Sequence, residues 1–163
     1  MDTLNIRKMK KNDLKEVLQI YKEGIETGMA TFETIVPSQH VWDNGHHATL
    51  RFVAEENNRL VGWIAITPVS TRAVYSGVGE VSVYVSNCNK GKGIATKLFD
   101  KLIQESEKSG FWTLQSSIFA INTSSIQLHK KMDFKIVGTR EKIAQLNGKW
   151  FDTVIMERRT IKY

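Results

Sequence analysis

Two glycines, each preceded by a lysine, interrupt the chain at Lys90-Gly91-Lys92-Gly93-Ile94-Ala95-Thr96. Glycine removes the Cβ that would crowd a turn, so backbone amides there are free to face outward. Where such a turn opens a helix, unpaired N–H groups stand at the positive end of the helix dipole and attract phosphate oxygens. Lys90 and Lys92 add charge of the matching sign. The chemistry on offer is a cradle for a pyrophosphate, although a plain strand-to-helix turn could have the same composition. Neither common phosphate loop fits. The dinucleotide pattern needs a small residue where Thr96 stands, and the P-loop needs Ser or Thr directly after Gly-Lys.

Three further residues have types suited to proton transfer or ligand contact. Glu80 opens an alternating stretch and lies on the opposite face from Val81, Val83 and Val85. A carboxylate there can take a proton from an ammonium nucleophile, directly or through water; a surface glutamate opposing a lysine would have the same sequence context. Asn122 and His129 are two helical turns apart, which puts them on one helix face about 10 Å from each other. Imidazole titrates near neutrality and can give or take a proton, whereas a helix-face histidine can also have no task. Cys88 has no base placed near it by the sequence, and the adjacent pair His46-His47 cannot face one metal ion from a regular element.

The elements that must position these groups follow from periodicity. Glu80-Val81-Ser82-Val83-Tyr84-Val85 alternates and is rich in β-branched residues, so it predicts a strand. Ile94, Ala95, Leu98, Phe99, Leu102 and Ile103 recur at helical spacing and predict an amphipathic helix ending at Gly110. Before them come a strand over Leu4 to Lys8, a helix capped by Asn12 or Asp13 and loosened at Gly24 and Gly28, and a short helix from Pro37-Ser38 through Trp42. Two strands, Arg51 to Glu55 and Leu60 to Thr67, flank a hairpin turn at Asn57-Asn58, and a loop from Pro68 to Gly79 carries Arg72 and Tyr75. After the organising helix come a strand over Trp112 to Phe119, a helix over Asn122 to Met132 and a strand over Phe134 to Lys142. Asn147-Gly148 then turns into a last strand, Trp150 to Glu157. The order β-α-α-β-β-β-α-β-α-β-β makes an α/β chain with a mixed sheet and helices on both faces.

At 163 residues, with 41% hydrophobic and 25% charged residues, the chain reads as one globular domain over 1–163. It has no apolar run long enough to span a membrane, and Met1 to Arg7 lacks the apolar core of a leader. A single cysteine excludes an internal disulfide and a multi-cysteine metal site. These features predict a cytoplasmic protein with no metal and no membrane partner. The net charge of +6 raises nucleic acid as a partner, but the basic residues are dispersed and no stacking platform interleaves them. A moderate positive field also suits a polyanionic small ligand, and no nucleic-acid partner is expected.

The turn resembles the Q/R-x-x-G-x-G/A motif of the GNAT N-acetyltransferases, with Lys90 in the Gln/Arg slot, Gly93 in the glycine slot and Ala95 in the Gly/Ala slot. The lysine departs from the motif but keeps its charge. Asn122-Thr123-Ser124-Ser125-Ile126-Gln127-Leu128-His129 resembles the same family's second motif helix, and the element order agrees over essentially the whole chain. The resemblance implies the acyl-CoA N-acyltransferase fold, a mostly antiparallel sheet of about seven strands, and acetyl-CoA as cosubstrate. It implies that Gly91, Lys92, Gly93, Ile94, Ala95 and Thr96 surround the pyrophosphate and that main-chain groups of Val83 and Val85 bond the pantetheine arm. A backbone N–H near Val83 or Tyr84 then points at the thioester oxygen, Asn122 bonds the arm, and His129 fills a slot where many members carry a tyrosine acid.

Thr31-Phe32-Glu33, Arg72 with Tyr75, the Glu80 strand and Asn147 to Asp152 narrow the resemblance to the phosphinothricin and methionine sulfoximine branch. That branch implies Glu80 as base, Phe32, Glu33, Arg72 and Tyr75 around a small amine acceptor, and a homodimer with the acceptor site near the interface. A protein N-terminus or polyamine as acceptor, or a module without activity that binds coenzyme A or nucleic acid, are the other readings.

Overall fold

The computed structural model describes residues 3–163; Met1 and Asp2, the start of the stretch read above as lacking a leader, lie outside the described residues. The strands are β1 (Asn5–Lys8), β2 (Arg51–Glu56), β3 (Arg59–Pro68), β4 (Val78–Val85), β5 (Thr113–Phe119), β6 (Lys135–Leu146) and β7 (Lys149–Arg159). The helices are α1 (Leu14–Glu26), α2 (Gln39–Gly45), α3 (Ile94–Lys108) and α4 (Thr123–Lys131). The strands form one seven-stranded sheet in the order β1-β2-β3-β4-β5-β7-β6. Every pairing is antiparallel except β4 with β5. Among the described residues no helix is long and apolar enough to cross a membrane.

Strand alternation sorts the core onto two faces. Phe52, Ile64, Ile66, Val81, Leu114, Ile118, Val154 and Met156 meet Ile94, Leu98, Phe99 and Leu102 of α3, with Met132 just past α4. On the other face Val53, Trp63 and Ala65 meet Leu14, Val17, Leu18 and Ile20 of α1 and Trp42 of α2, with Tyr84 packed alongside. The helical faces of α1 and α2 stop at β4. Beyond it that side of β5, β7 and β6 carries only the small cluster of Phe119, Leu146 and Phe151, with Phe32 laid on it.

Local chemistry explains most boundaries. Asn57 and Asn58 both take positive φ, 52° and 60°, as do Asn147 and Gly148 at 51° and 78°. A two-residue hairpin turn of the tighter-twisting kind needs that conformation. Asp133 closes α4 at φ 67°. Three expectations change. Asp13 does not cap α1 through its side chain. Its carboxylate instead accepts from the Lys10 amide at 2.6 Å and from Arg7 Nη1 and Nη2 at 2.8 and 3.0 Å, tying β1 to the helix start. Gly24 does not loosen the helix, which runs on to Glu26. β6 does not end at Lys142: the strand bulges between Arg140 and Ala144, Lys142 takes φ 45°, and its amide donates to Asp152 Oδ1 at 2.8 Å.

Candidate active site

The parallel pair β4–β5 holds together for only three residue pairs, Val78↔Thr113, Gly79↔Leu114 and Glu80↔Gln115. Past Glu80 the two strands part, and a cleft of about 770 Å³ opens between them. Its walls are Val81 to Val85 on one side and Ser116 to Phe119 on the other. Alternate residues of β4 bond β3 and leave the groups of their neighbours turned toward the cleft, where no strand competes for them.

At one end of the cleft stands the glycine turn. Gly91 and Gly93 take φ 79° and 78°, and Gly93 is the N-cap of α3, which no side chain caps. The space around both glycines is open, with no atom within 4 Å of an added Cβ. Lys90, Gly91, Gly93, Ile94, Ala95 and Thr96 line the cleft, whereas Lys92 is exposed outside that lining. A helix start left uncapped, positive in charge and facing open space suits a pyrophosphate.

Asn122 is not on the helix face but at its N-cap, where Oδ1 accepts from the Ser125 amide at 3.2 Å. Its Nδ2 donates to the Met29 carbonyl at 3.4 Å, which joins the α1–α2 loop to the start of α4. His129 is 3% exposed and lines the deep wall. Nδ1 lies 2.7 Å from the Ser125 carbonyl, which can only accept, so Nδ1 carries the proton. Nε2 then accepts from the Ser116 hydroxyl at 2.9 Å. Burial holds the imidazole below its usual pKa, against a smaller upward pull from the Ser125 carbonyl. It is therefore a neutral ring with both nitrogens engaged, which argues against the direct acid expected from its slot.

Glu80 stands where the strands begin to part. Burial pushes its carboxyl up, and the charge of Arg140 pulls it partly back. Tyr84, four positions on and on the same face of the strand, stacks on Trp63 at 5.0 Å and meets Tyr21 at 5.0 Å. Burial raises its phenol further, so it stays neutral. Phe32 lies against Phe119 at 4.5 Å and makes an aromatic wall.

The remaining expected acceptor residues are not in the cleft lining. Glu33 is exposed, and Arg72 lies over the Tyr75 ring at 5.6 Å on the exposed loop before β4. Ser116, Phe119 and Thr153, to which the sequence assigns no role, do line it, as does Thr31 from the stretch before Glu33. A visible signal existed for the first: Gln115-Ser116-Ser117 is a polar run inside a strand whose Leu114, Ile118 and Phe119 are apolar. His46 and His47 are engaged locally, Nδ1 of one near the Trp42 carbonyl at 2.6 Å and Nδ1 of the other accepting from Leu50 at 3.1 Å.

Residues 6–155 match the family model described as the acetyltransferase (GNAT) domain. A phosphinothricin N-acetyltransferase of Alcaligenes faecalis is 29% identical over 162 residues, covering 94% of this chain and 81% of the relative. An L-methionine sulfoximine/L-methionine sulfone acetyltransferase of Pseudomonas aeruginosa is 32% identical over 83 residues, 51% of this chain and 48% of that one. Among solved structures, a GNAT superfamily phosphinothricin acetyltransferase of Sinorhizobium meliloti, in complex with AcCoA, superposes with a TM-score of 0.86. It is 28% identical, over 96% of this chain and 88% of that one. With a parted β4–β5 pair, a bare helix start at its end and a matching model over nearly all its length, the chain belongs to the GNAT family of acetyltransferases.

Proposed function

We propose that the chain is a single-domain enzyme that moves an acetyl group from acetyl-CoA to the primary amine of a small amino acid, by direct attack with both substrates bound. One observation carries the reading: the last β4–β5 pair is Glu80↔Gln115, so a carboxylate stands at the vertex of the opening. The phosphate-suited turn and the aromatic wall line the same cleft. Acetyl-CoA would supply the thioester carbonyl. Lys90, Gly91, Lys92, Gly93, Ile94, Ala95 and Thr96 would hold its diphosphate, and the cleft-facing main chain of Val83, Tyr84 and Val85 its arm. An amide of β4 pointing at the carbonyl oxygen would stabilise charge as it builds. Asn122 holds the loop above the arm through Met29.

Glu80 is the proposed base. Burial raises its pKa, so its ionised form is more basic than an exposed glutamate. His129 enters the reading through Ser116, whose hydroxyl it holds toward the cleft wall. Phe32 would wall the acceptor side chain. Glu33, Arg72 and Tyr75, outside the cleft of one chain, would reach the acceptor from the rim of a second copy in a homodimer. Sedimentation at the mass of one chain would count against that assembly.

The names of the relatives support the acceptor class. The test is thiol release from acetyl-CoA with a panel of amines. Turnover with methionine sulfone or phosphinothricin but not with peptides or polyamines is expected. Turnover restricted to peptides or polyamines would overturn the acceptor assignment, and coenzyme binding without turnover on any amine would overturn the enzymatic one.

A further inference from the structure

β6 brings to the acceptor side a charged group that none of the motifs above contains. Residues opposite one another on paired strands project to the same face of a sheet. Phe119 of β5 lies opposite Thr153 of β7, and Thr153 lies opposite Arg140 of β6. Phe119 and Thr153 line the cleft, whereas Val154, the next residue in β7, is in the core on the α3 face. Arg140 therefore stands on the cleft side, three strands across from Glu80.

Arg140 is exposed. Arg7, Arg51 and Arg158 are each held by a carboxylate, but among the described residues Arg140 makes no ion pair. Its positive charge nevertheless reaches Glu80, where it opposes the upward push of burial on the carboxyl. Beside it Thr153 is 2% exposed, and its Oγ1 has no hydrogen-bond partner among the described residues. Buried hydroxyls are seldom left so, unless water or a ligand completes them. Ser117, exposed on the cleft wall, and the Phe32–Phe119 ring pair lie on the same face.

A zwitterionic acceptor needs an anion for its ammonium and a cation for its carboxylate within one pocket. Glu80 supplies the first, and Arg140 is the unpaired guanidinium on the same face. We propose that Arg140, with Thr153 beside it, binds the carboxylate of the acceptor while Glu80 faces its amine, and so selects amino acids over simple amines. The assignment rests on the acetyltransferase reading above and names the group that gives it acceptor specificity. A guanidinium can donate two parallel hydrogen bonds to a carboxylate, which fixes the direction of the amine as well as adding affinity.

The test compares L-methionine sulfone with its decarboxylated counterpart, methylsulfonylpropylamine, in the unaltered chain and in Arg140→Ala and Arg140→Lys. Arg140 is exposed on an edge strand and lacks an ion pair, so neither substitution should disturb folding. The expected result is a KM for methionine sulfone raised roughly 10- to 100-fold in Arg140→Ala. Partial recovery is expected in Arg140→Lys, which keeps the charge but not the fork. KM for the decarboxylated amine should not move. An unchanged KM for the amino acid, or an equal rise for both acceptors, would overturn the role of Arg140 and leave the acetyltransferase reading standing. No thiol release by the unaltered chain with either probe or any other amine would overturn that reading, and this assignment with it.

Discussion

Burial acts on Glu80 in two ways that pull apart. It raises the carboxyl pKa, which makes the ionised form a better base, and it penalises that same form in the folded chain. A folded pKa above the unfolded one gives stability that is full at low pH and lost as pH rises through the folded value. The ionised carboxylate is thus a burden on the fold. Glu80→Gln should lower kcat by about 100-fold while leaving the melting temperature unchanged or higher. In the unaltered chain kcat/KM should rise with pH through a pKa above that of an exposed glutamate, and the Gln variant should lack this limb. A variant with normal turnover would remove Glu80 from the mechanism. His129 makes the opposite case. Its pKa is lowered by burial, so its contribution to stability is present above the unfolded value and fades as pH falls below about 6.5. His129→Phe strands the Ser116 hydroxyl, and denaturant titration should find a loss of about 1–3 kcal/mol. An unchanged midpoint would contradict the neutral, doubly bonded ring.

The elements show why some of this was legible from residue order and some was not. Hairpins at Asn57-Asn58 and Asn147-Gly148, the strand at Glu80 and the glycine turn are local events, decided by the residues that make them. The parting of β4 from β5 is a pairing that stops, and no residue type announces it. Ser116 meets His129 through the packing of α4 beside β5, and Arg140 shares a face with Glu80 three strands away; both follow from tertiary arrangement that periodicity does not encode. Gly24 shows how a punctuation rule can misfire: its lack of a side chain serves packing, since an added Cβ would lie 2.5 Å from Tyr84 Cδ1 and Cε1. Gly24→Ala should therefore push Tyr84 out of its stack on Trp63 and into the cleft. The expected loss of about 1–3 kcal/mol, from overpacking, should come with a raised KM for acetyl-CoA. Ala is the better helix former, so a gain in melting temperature would show that the ring contact is not limiting.

At the scale of the molecule, the arrangement divides labour between the two faces of one sheet. One face packs against α3 and α4 and carries the glycine turn at its edge. The other is covered by α1 and α2 only as far as β4, which leaves β5, β7 and β6 open beside Glu80 and Arg140. The cleft is the passage between the two. Such a design keeps the donor end fixed by backbone while the acceptor end depends on side chains that can vary. The most direct test is a crystal structure of the chain with acetyl-CoA. The account predicts the diphosphate on the amides of Gly91 to Thr96 and the thioester arm along the unpaired stretch of β4, with its carbonyl beside Val83 or Tyr84. A diphosphate bound away from the start of α3, or an arm that left the gap between β4 and β5 empty, would contradict it.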